Sequence, residues 1–160
     1  LVELESAMER YAEILHRDVK QDVADVPGAG AAGGLGAACL AFLRAELRRG
    51  IELVMEAAQL EKAMQDADII LTGEGKMDEQ TLYGKVPHGV AQLAQKYALP
   101  VLAFTGANQV TSEALYEVGI TAIFPIVDRP MPLSEALQSG EQLMTKAVEN
   151  VFRLLQKARL

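Results

Sequence analysis

Residues Asp68-Ile69-Ile70-Leu71-Thr72-Gly73-Glu74-Gly75-Lys76-Met77-Asp78-Glu79-Gln80-Thr81 pass from a short apolar run into glycines, carboxylates, a lysine and hydroxyls. Ile69 to Leu71 is expected to be a buried strand. The loop leaving the carboxyl end of such a strand is where open α/β sheets put their ligands. Glycines let backbone N–H groups approach an anion, and Glu74 and Asp78 carry the hard oxygen atoms that hold a cation able to screen phosphate charge. The combination points to phosphoryl transfer.

Downstream, helical and extended patterns alternate. Val86 to Tyr97 is expected to be a helix, Pro100 to Thr105 a buried strand, Glu113 to Val118 a helix and Ile120 to Ile126 a strand. Pro132 precedes a helix from Leu133. Gly140 interrupts, and Glu141 to Lys157 closes the chain with Leu143, Ala147, Val151, Leu154 and Leu155 on one face. Near-continuous apolar strands separated by helices imply a parallel sheet covered on both faces, a doubly wound α/β fold. Right-handed crossovers keep the strands pointing one way, so the residues after Leu71, Phe104 and Ile126 emerge at one edge. That edge carries Thr72-Gly73-Glu74, Thr105-Gly106-Ala107-Asn108 and Val127-Asp128-Arg129.

Upstream, Ser6 to about Lys20 spaces Met8, Tyr11, Ala12, Leu15 and Val19 as one face of a helix. Pro27-Gly28-Ala29-Gly30-Ala31-Ala32-Gly33-Gly34-Leu35-Gly36 reads as a glycine loop, followed by an Ala/Leu-rich helix from Ala37 to Leu47 closed by Gly50. Ile51 to Met55 reads as a short strand, and Leu60, Ala63, Met64 and Ala67 as a helix. The change of texture near Ala57 suggests two domains, 1–57 and 58–160.

Gly28, Gly30 and Gly33 spell G-x-G-x-x-G, with Glu52 near the distance of a ribose-binding acid. A dinucleotide site demands a buried strand before the loop, and the polar run ending in Pro27 is not one. A phosphate-binding P-loop fails as well, because Gly34 and Leu35 stand where Lys and Ser/Thr belong. What survives is a glycine loop feeding a helix N-terminus, a general anion site, to be weighed against glycines kept for tight turns. Lys85 suits a phosphate or carboxylate as a point charge, and His88 opens the next helix, where first-turn backbone contacts are its ordinary role. His16 lies among charges on a helix and is expected to be exposed. There is no His/Cys cluster of zinc spacing and no nucleophile–base pair readable from spacing.

With 160 residues, half of them hydrophobic, the chain can bury a core; its net charge of -7 argues against nucleic acid and anionic membrane surfaces. Arg44, Arg48 and Arg49, interleaved with Glu46, suit a helix C-terminus. The single cysteine, Cys39, excludes an internal disulfide framework and fits a reducing cytoplasm. No apolar stretch reaches the ~18 residues needed to span a bilayer. A soluble protein is expected; a homo-oligomer stays open as a partner state, since the composition does not decide it. The chain opens on Leu1 rather than methionine, so a fragment of a longer protein is expected.

Taken together, the glycine loop at 27–36, Thr72-Gly73-Glu74-Gly75 through Asp78, Gln80, Thr81, Gly84 and Lys85, then Pro87-His88-Gly89-Val90-Ala91, Pro100-Val101, Gly106, Leu115-Tyr116 and Gly119-Ile120, resemble the bacterial glycerate kinases. The resemblance covers nearly the whole chain and corresponds to the carboxyl-terminal part of that family. It implies two α/β domains facing a cleft, with residues from about 58 onward in a Rossmann- or flavodoxin-like domain and the preceding residues forming the tail of the other. It implies transfer of the ATP γ-phosphoryl group to D-glycerate with Mg²⁺, giving 2-phosphoglycerate in most members. On that basis Gly28, Gly30, Gly33, Gly34, Thr72, Gly73 and Gly106 are expected around the nucleotide. Glu74, Asp78 and Lys85 are the expected catalytic residues, with Glu74 and Asp78 also the expected metal ligands and Asp78 a candidate general base. The reading from another class is a non-catalytic α/β module that binds an acid metabolite for regulation; a nicotinamide-dependent dehydrogenase is the enzymatic rival.

Overall fold

Ile70–Met77 is a strand of eight residues, β1, that runs through most of the segment read as a loop. The computed structural model, which describes residues 2–158, gives it a full-length parallel partner: β2, Val101–Asn108, takes Ile70 opposite Val101 and Met77 opposite Asn108. A partner of equal length keeps the polar residues Thr72 to Lys76 extended. Their glycines suit the close approach, because a Cβ on Gly73 would lie 2.8 Å from the Phe104 carbonyl oxygen and one on Gly106 2.6 Å from that of Gly75.

β3, Ala122–Pro125, pairs in parallel with the other side of β2, giving the order β1-β2-β3. Successive strands expose alternate side chains to opposite faces. Val101 and Ala103 enter one core with Met64, Met77, Val90, Ala91, Leu93, Ala94, Leu115 and Ile120, while Leu102 and Phe104 enter another with Val151. The first core is roofed by α5, Val86–Gln95, and α6, Ser112–Glu117, the crossover helices between the strands. The second lies under α8, Gly140–Ala158, which follows the short α7, Leu133–Gln138. The Phe104 and Phe124 rings stack there with centroids 5.4 Å apart. The parallel sheet with helices on both faces is the expected α/β fold. On α8, Leu143 and Val151 are buried as expected, but Leu154 is 67% exposed and belongs to the solvent side.

The chain divides into two compact units, the first ending at Arg48 and the second beginning at Arg49. Ile51 to Met55 is not a strand but part of α3, Gly50–Ala57, followed by α4, Leu60–Met64. Ile51 and Met55 stand one turn apart, and both meet α5 at Gly89, where a Cβ would lie 2.7 Å from Ile51 Cγ1 and 3.5 Å from Met55 Cε. The four-residue spacing decides over the β-branched residues, and this contact brings α3 into the second unit.

In the first unit, α1, Val2–Ile14, ends in a wider π-type turn over Leu15–Val19, and Lys20 adopts a left-handed conformation. α2, Ala31–Leu43, contains a kink in which Ala32, Gly33 and Gly34 all have positive φ. It closes earlier than expected, because Arg44 itself turns left-handed at φ 52°. Leu15, Val23, Ala29, Ala37 and Ala41 form this unit's core.

Candidate active site

Along β1 the half-buried residues are Ile70, Thr72 and Glu74, while Leu71, Gly73 and Gly75 on the other face are exposed. Ile70 packs on the core beneath α5, so the period of two brings Glu74 to the same side. β1 ends at Met77, which is fully buried, and Asp78 starts a single 3₁₀ turn, Glu79–Tyr83. Asp78 caps that turn: its Oδ1 accepts from the Gln80 N–H at 3.1 Å. Thr81 completes a reciprocal box by accepting the Asp78 N–H at 3.1 Å. Gly84, at φ 114°, turns the chain, and Lys85 becomes the N-cap residue of α5 with Pro87 in its first turn.

Strand end, short turn and helix start thus converge three charged side chains. The Lys85 ammonium lies 3.3 Å from Glu74 Oε1 and 3.2 Å from Asp78 Oδ1. Lys76 adds a second, looser cation 3.7 Å from Asp78 Oδ2. The Thr81 hydroxyl donates to Glu74 Oε2 at 3.0 Å. Lys85 and Asp78 remain about a third and a quarter exposed, so the cluster is open to a ligand. The hydrogen bond from Lys85 holds the Asp78 carboxyl below the usual carboxylate range against an opposing effect of desolvation, and the bond to Asp78 correspondingly raises Lys85.

The sign of the linkage follows. Asp78 has a lowered native pKa, so its contribution to stability is complete above its unfolded value of about 3.9 and is lost as pH falls through the lowered native value. Lys85 has a raised one, so its contribution is complete below about 10.4 and is lost as pH rises through the raised value. The difference in melting temperature between wild type and Lys85→Met is therefore expected to be flat from about pH 5 to 9 and to shrink below about pH 4. Thermal scans across that range check it, and a difference that varies through neutral pH would point to another group.

Of the residues expected at the site, Glu74, Asp78 and Lys85 come together directly, and Thr72 shares the Glu74 face of β1. Gly73 and Gly106 lie on β1 and β2, where the close strand approach gives them a packing role of their own. Asp128 and Arg129 are engaged elsewhere: Asp128 Oδ2 is 3.4 Å from Lys146 on α8, and Arg129 pairs with Glu135 on α7. Asn108 Oδ1 accepts the Val110 N–H and turns the chain after β2. His88 sits in the first turn of α5 with its Nδ1 buried and unpaired, and His16 is exposed. Thr81 and Lys76 were not singled out as site residues; the Asp78-x-x-Thr81 spacing of a capping box was the signal for the former.

The glycine loop lies in the first unit. Gly28, Gly33 and Gly34 have φ of 90°, 68° and 92°, whereas Gly30 has an ordinary φ of −73°. The Ala31 N–H bonds back to the Gly28 carbonyl and that of Gly34 to Gly30, leading into the regular part of α2. Ala32, Gly33 and Gly34 follow one another in the left-handed region, so the Ala31 and Gly34 N–H groups are spent on bonds within the loop itself. The left-handed Ala32 is costly for a residue with a Cβ, and such strain gathers at ligand sites.

A three-stranded parallel sheet flanked by helices, with a carboxylate–lysine cluster where its first strand ends, defines the chain as an α/β protein. The family model described as the glycerate kinase family matches residues 1–156, and the chain belongs to that family. It is 46% identical over 149 residues to a glycerate kinase of Halalkalibacterium halodurans, covering 93% of this chain and 39% of that protein. It is 42% identical over 155 residues to a glycerate 2-kinase of Escherichia coli, covering 97% and 41%. A crystal structure from Salmonella typhimurium LT2, assigned as a glycerate kinase 2, superposes with a TM-score of 0.71 at 40% identity, covering 97% of this chain and 40% of that one. The chain thus spans about 40% of the length of the curated relatives it matches. Among the described residues no helix is long and apolar enough to cross a membrane.

Proposed function

We propose that this chain supplies the phosphoryl-transfer centre of a kinase that phosphorylates D-glycerate from ATP, giving 2-phosphoglycerate. The observation that carries the reading is Lys85 held between Glu74 and Asp78 at the end of β1, in a chain of this family. Phosphoryl transfer needs alignment and charge neutralisation more than covalent help, and these are the parts for it.

The geometry supports the following division of roles. Lys85, an ammonium at all ordinary pH, is the cation for a phosphate or the glycerate carboxylate. The hydrogen bond from Lys85 lowers the Asp78 pKa, which favours a part as fixed charge over one as general base. Among the described residues no group of three or more His, Cys, Asp or Glu side chains could hold a metal. Mg²⁺ on a nucleotide, however, ordinarily takes only one or two carboxylates alongside the phosphates, and the Lys85 ammonium already shows that a positive centre can sit between Glu74 and Asp78. Those two would hold it, and it would neutralise charge on the transferring group. The loop with Gly28, Gly30, Gly33 and Gly34 is assigned to an anionic group, and Thr72, Gly73 and Gly106 to the nucleotide side of the sheet edge. A cytoplasmic setting belongs to this reading and rests on the lone free Cys39.

The test is a polypeptide of the relatives' full length that contains this chain, incubated with ATP, Mg²⁺ and D-glycerate. ADP release that depends on D-glycerate, with a phosphomonoester on C2 by phosphorus NMR, is expected. A folded protein that releases none would reject the reading.

A further inference from the structure

We infer that Thr81 is a positioning residue for the transfer, locking Glu74 and Asp78 into one arrangement through a single hydroxyl; this rests on the kinase reading above. Thr81 is fully buried, one of two buried polar residues among the described ones. Its Oγ1 donates to Glu74 Oε2 at 3.0 Å and accepts the Asp78 N–H at 3.1 Å. A hydroxyl has one proton to give, and accepting from an amide leaves that proton for the carboxylate. The direction of both bonds is thereby fixed.

The consequence is geometric. Glu74 Oε1 is engaged by Lys85 and Oε2 by Thr81, so the carboxylate plane is set by two partners on different elements, the N-cap of α5 and the 3₁₀ turn. Asp78 is held by its own N–H on Thr81 and by its Oδ1 on the Gln80 N–H. Thr81, like Lys85, is bonded to both acidic residues, but unlike the partly exposed Lys85 it is fully buried. Buried hydroxyls of this kind orient the groups that meet the ligand.

Thr81→Val keeps the shape and removes the hydroxyl; Thr81→Ser keeps the hydroxyl and removes a methyl. In the full-length protein, Val is expected to lower kcat ~10- to 100-fold with little change in KM for D-glycerate, the loss typical of outer hydrogen-bond partners. Ser is expected to keep kcat within about threefold while melting at a lower temperature. In a Glu74→Gln background the part of the Val loss that runs through Glu74 is already gone, so adding Thr81→Val should cost less than it does in the wild type. A folded Val variant with wild-type kcat overturns the inference, and a full multiplicative loss in the Glu74→Gln background overturns the joint locking it claims, since none of the effect then passes through Glu74. If Val does not fold, a folded Ser variant that loses tenfold or more overturns it, and one that keeps kcat supports it. Wild-type protein without D-glycerate-dependent turnover is the failure of the kinase reading itself and takes this inference with it, whereas an active wild type beside an equally active Val variant sinks the role of Thr81 alone.

Discussion

In the full-length polypeptide of the proposed kinase, Asp78→Asn is expected to reduce D-glycerate-dependent turnover roughly 10²- to 10³-fold, the loss typical of removing one preorganised electrostatic group from a transition state, while the protein stays folded. The folding half of that expectation comes from the cap. Asp78 accepts the Gln80 N–H through Oδ1 and gives its own N–H to Thr81, and asparagine caps helical turns about as well as aspartate does. What disappears is the negative charge facing Lys85 and Lys76. If the charge holds Mg²⁺, the concentration of Mg²⁺ for half-maximal activity rises in the variant and the pH–rate profile keeps its shape. A lost acidic limb with unchanged Mg²⁺ dependence would instead revive the general-base role that the lowered pKa of Asp78 argues against. Wild-type turnover at both limiting and saturating Mg²⁺ removes Asp78 from the chemistry altogether.

The sequence discloses the charge cluster because its members lie within twelve positions of one another, so local chain geometry alone brings them together. Glu74, Asp78 and Lys85 are legible in that way, as is the alternation of apolar strands with helices. What the local pattern hides is the length of β1. Thr72 to Lys76 looks like a loop by composition and is a strand because β2 offers a partner residue by residue, a fact about another part of the chain. Ile51 to Met55 fails for the same reason: its β-branched residues suit a strand, but the contact with Gly89 rewards a helical spacing. The bonds of Thr81 to Glu74 and Asp78 are not legible beforehand because they depend on its burial, and burial of a lone threonine in a polar stretch has no signature in composition. The glycine loop divides as well. Its irregular backbone is readable from glycine density, but which glycine is required by backbone conformation, which by packing and which by neither is visible only in the folded chain.

That division yields the largest expected effect on stability, at Gly36. Gly36 lies in the helical part of α2, where replacing glycine by alanine ordinarily gains about 1 kcal/mol of helix propensity. Here the opposite sign is expected. A Cβ at Gly36 would fall 2.4 Å from the Gly28 carbonyl oxygen, 2.9 Å from that of Ala29 and 3.1 Å from the Ala29 Cα, all of them backbone atoms with no rotamer to escape into. Overpacking costs typically about 1–3 kcal/mol and more where the neighbour is rigid, so Gly36→Ala should be net destabilising by about 2 kcal/mol. The adjacent glycines are controls with different physics. Gly33→Ala meets nothing within 4 Å but must hold a φ of 68°, so a loss of about 1 kcal/mol is expected from backbone strain alone. Gly30→Ala, with φ −73° and only Met8 Cε at 4.0 Å, should be within about 0.5 kcal/mol of wild type, so any weakening of anion binding there reports the ligand rather than the fold. Amide hydrogen exchange resolves the first unit from the second through the Ala37 N–H, which bonds to the Ala29 carbonyl at 2.8 Å beside the clash. The expected order of lost protection is Gly36→Ala, then Gly33→Ala, then Gly30→Ala; a stabilised Gly36→Ala would mean that α2 does not press against the Gly28–Ala29 backbone.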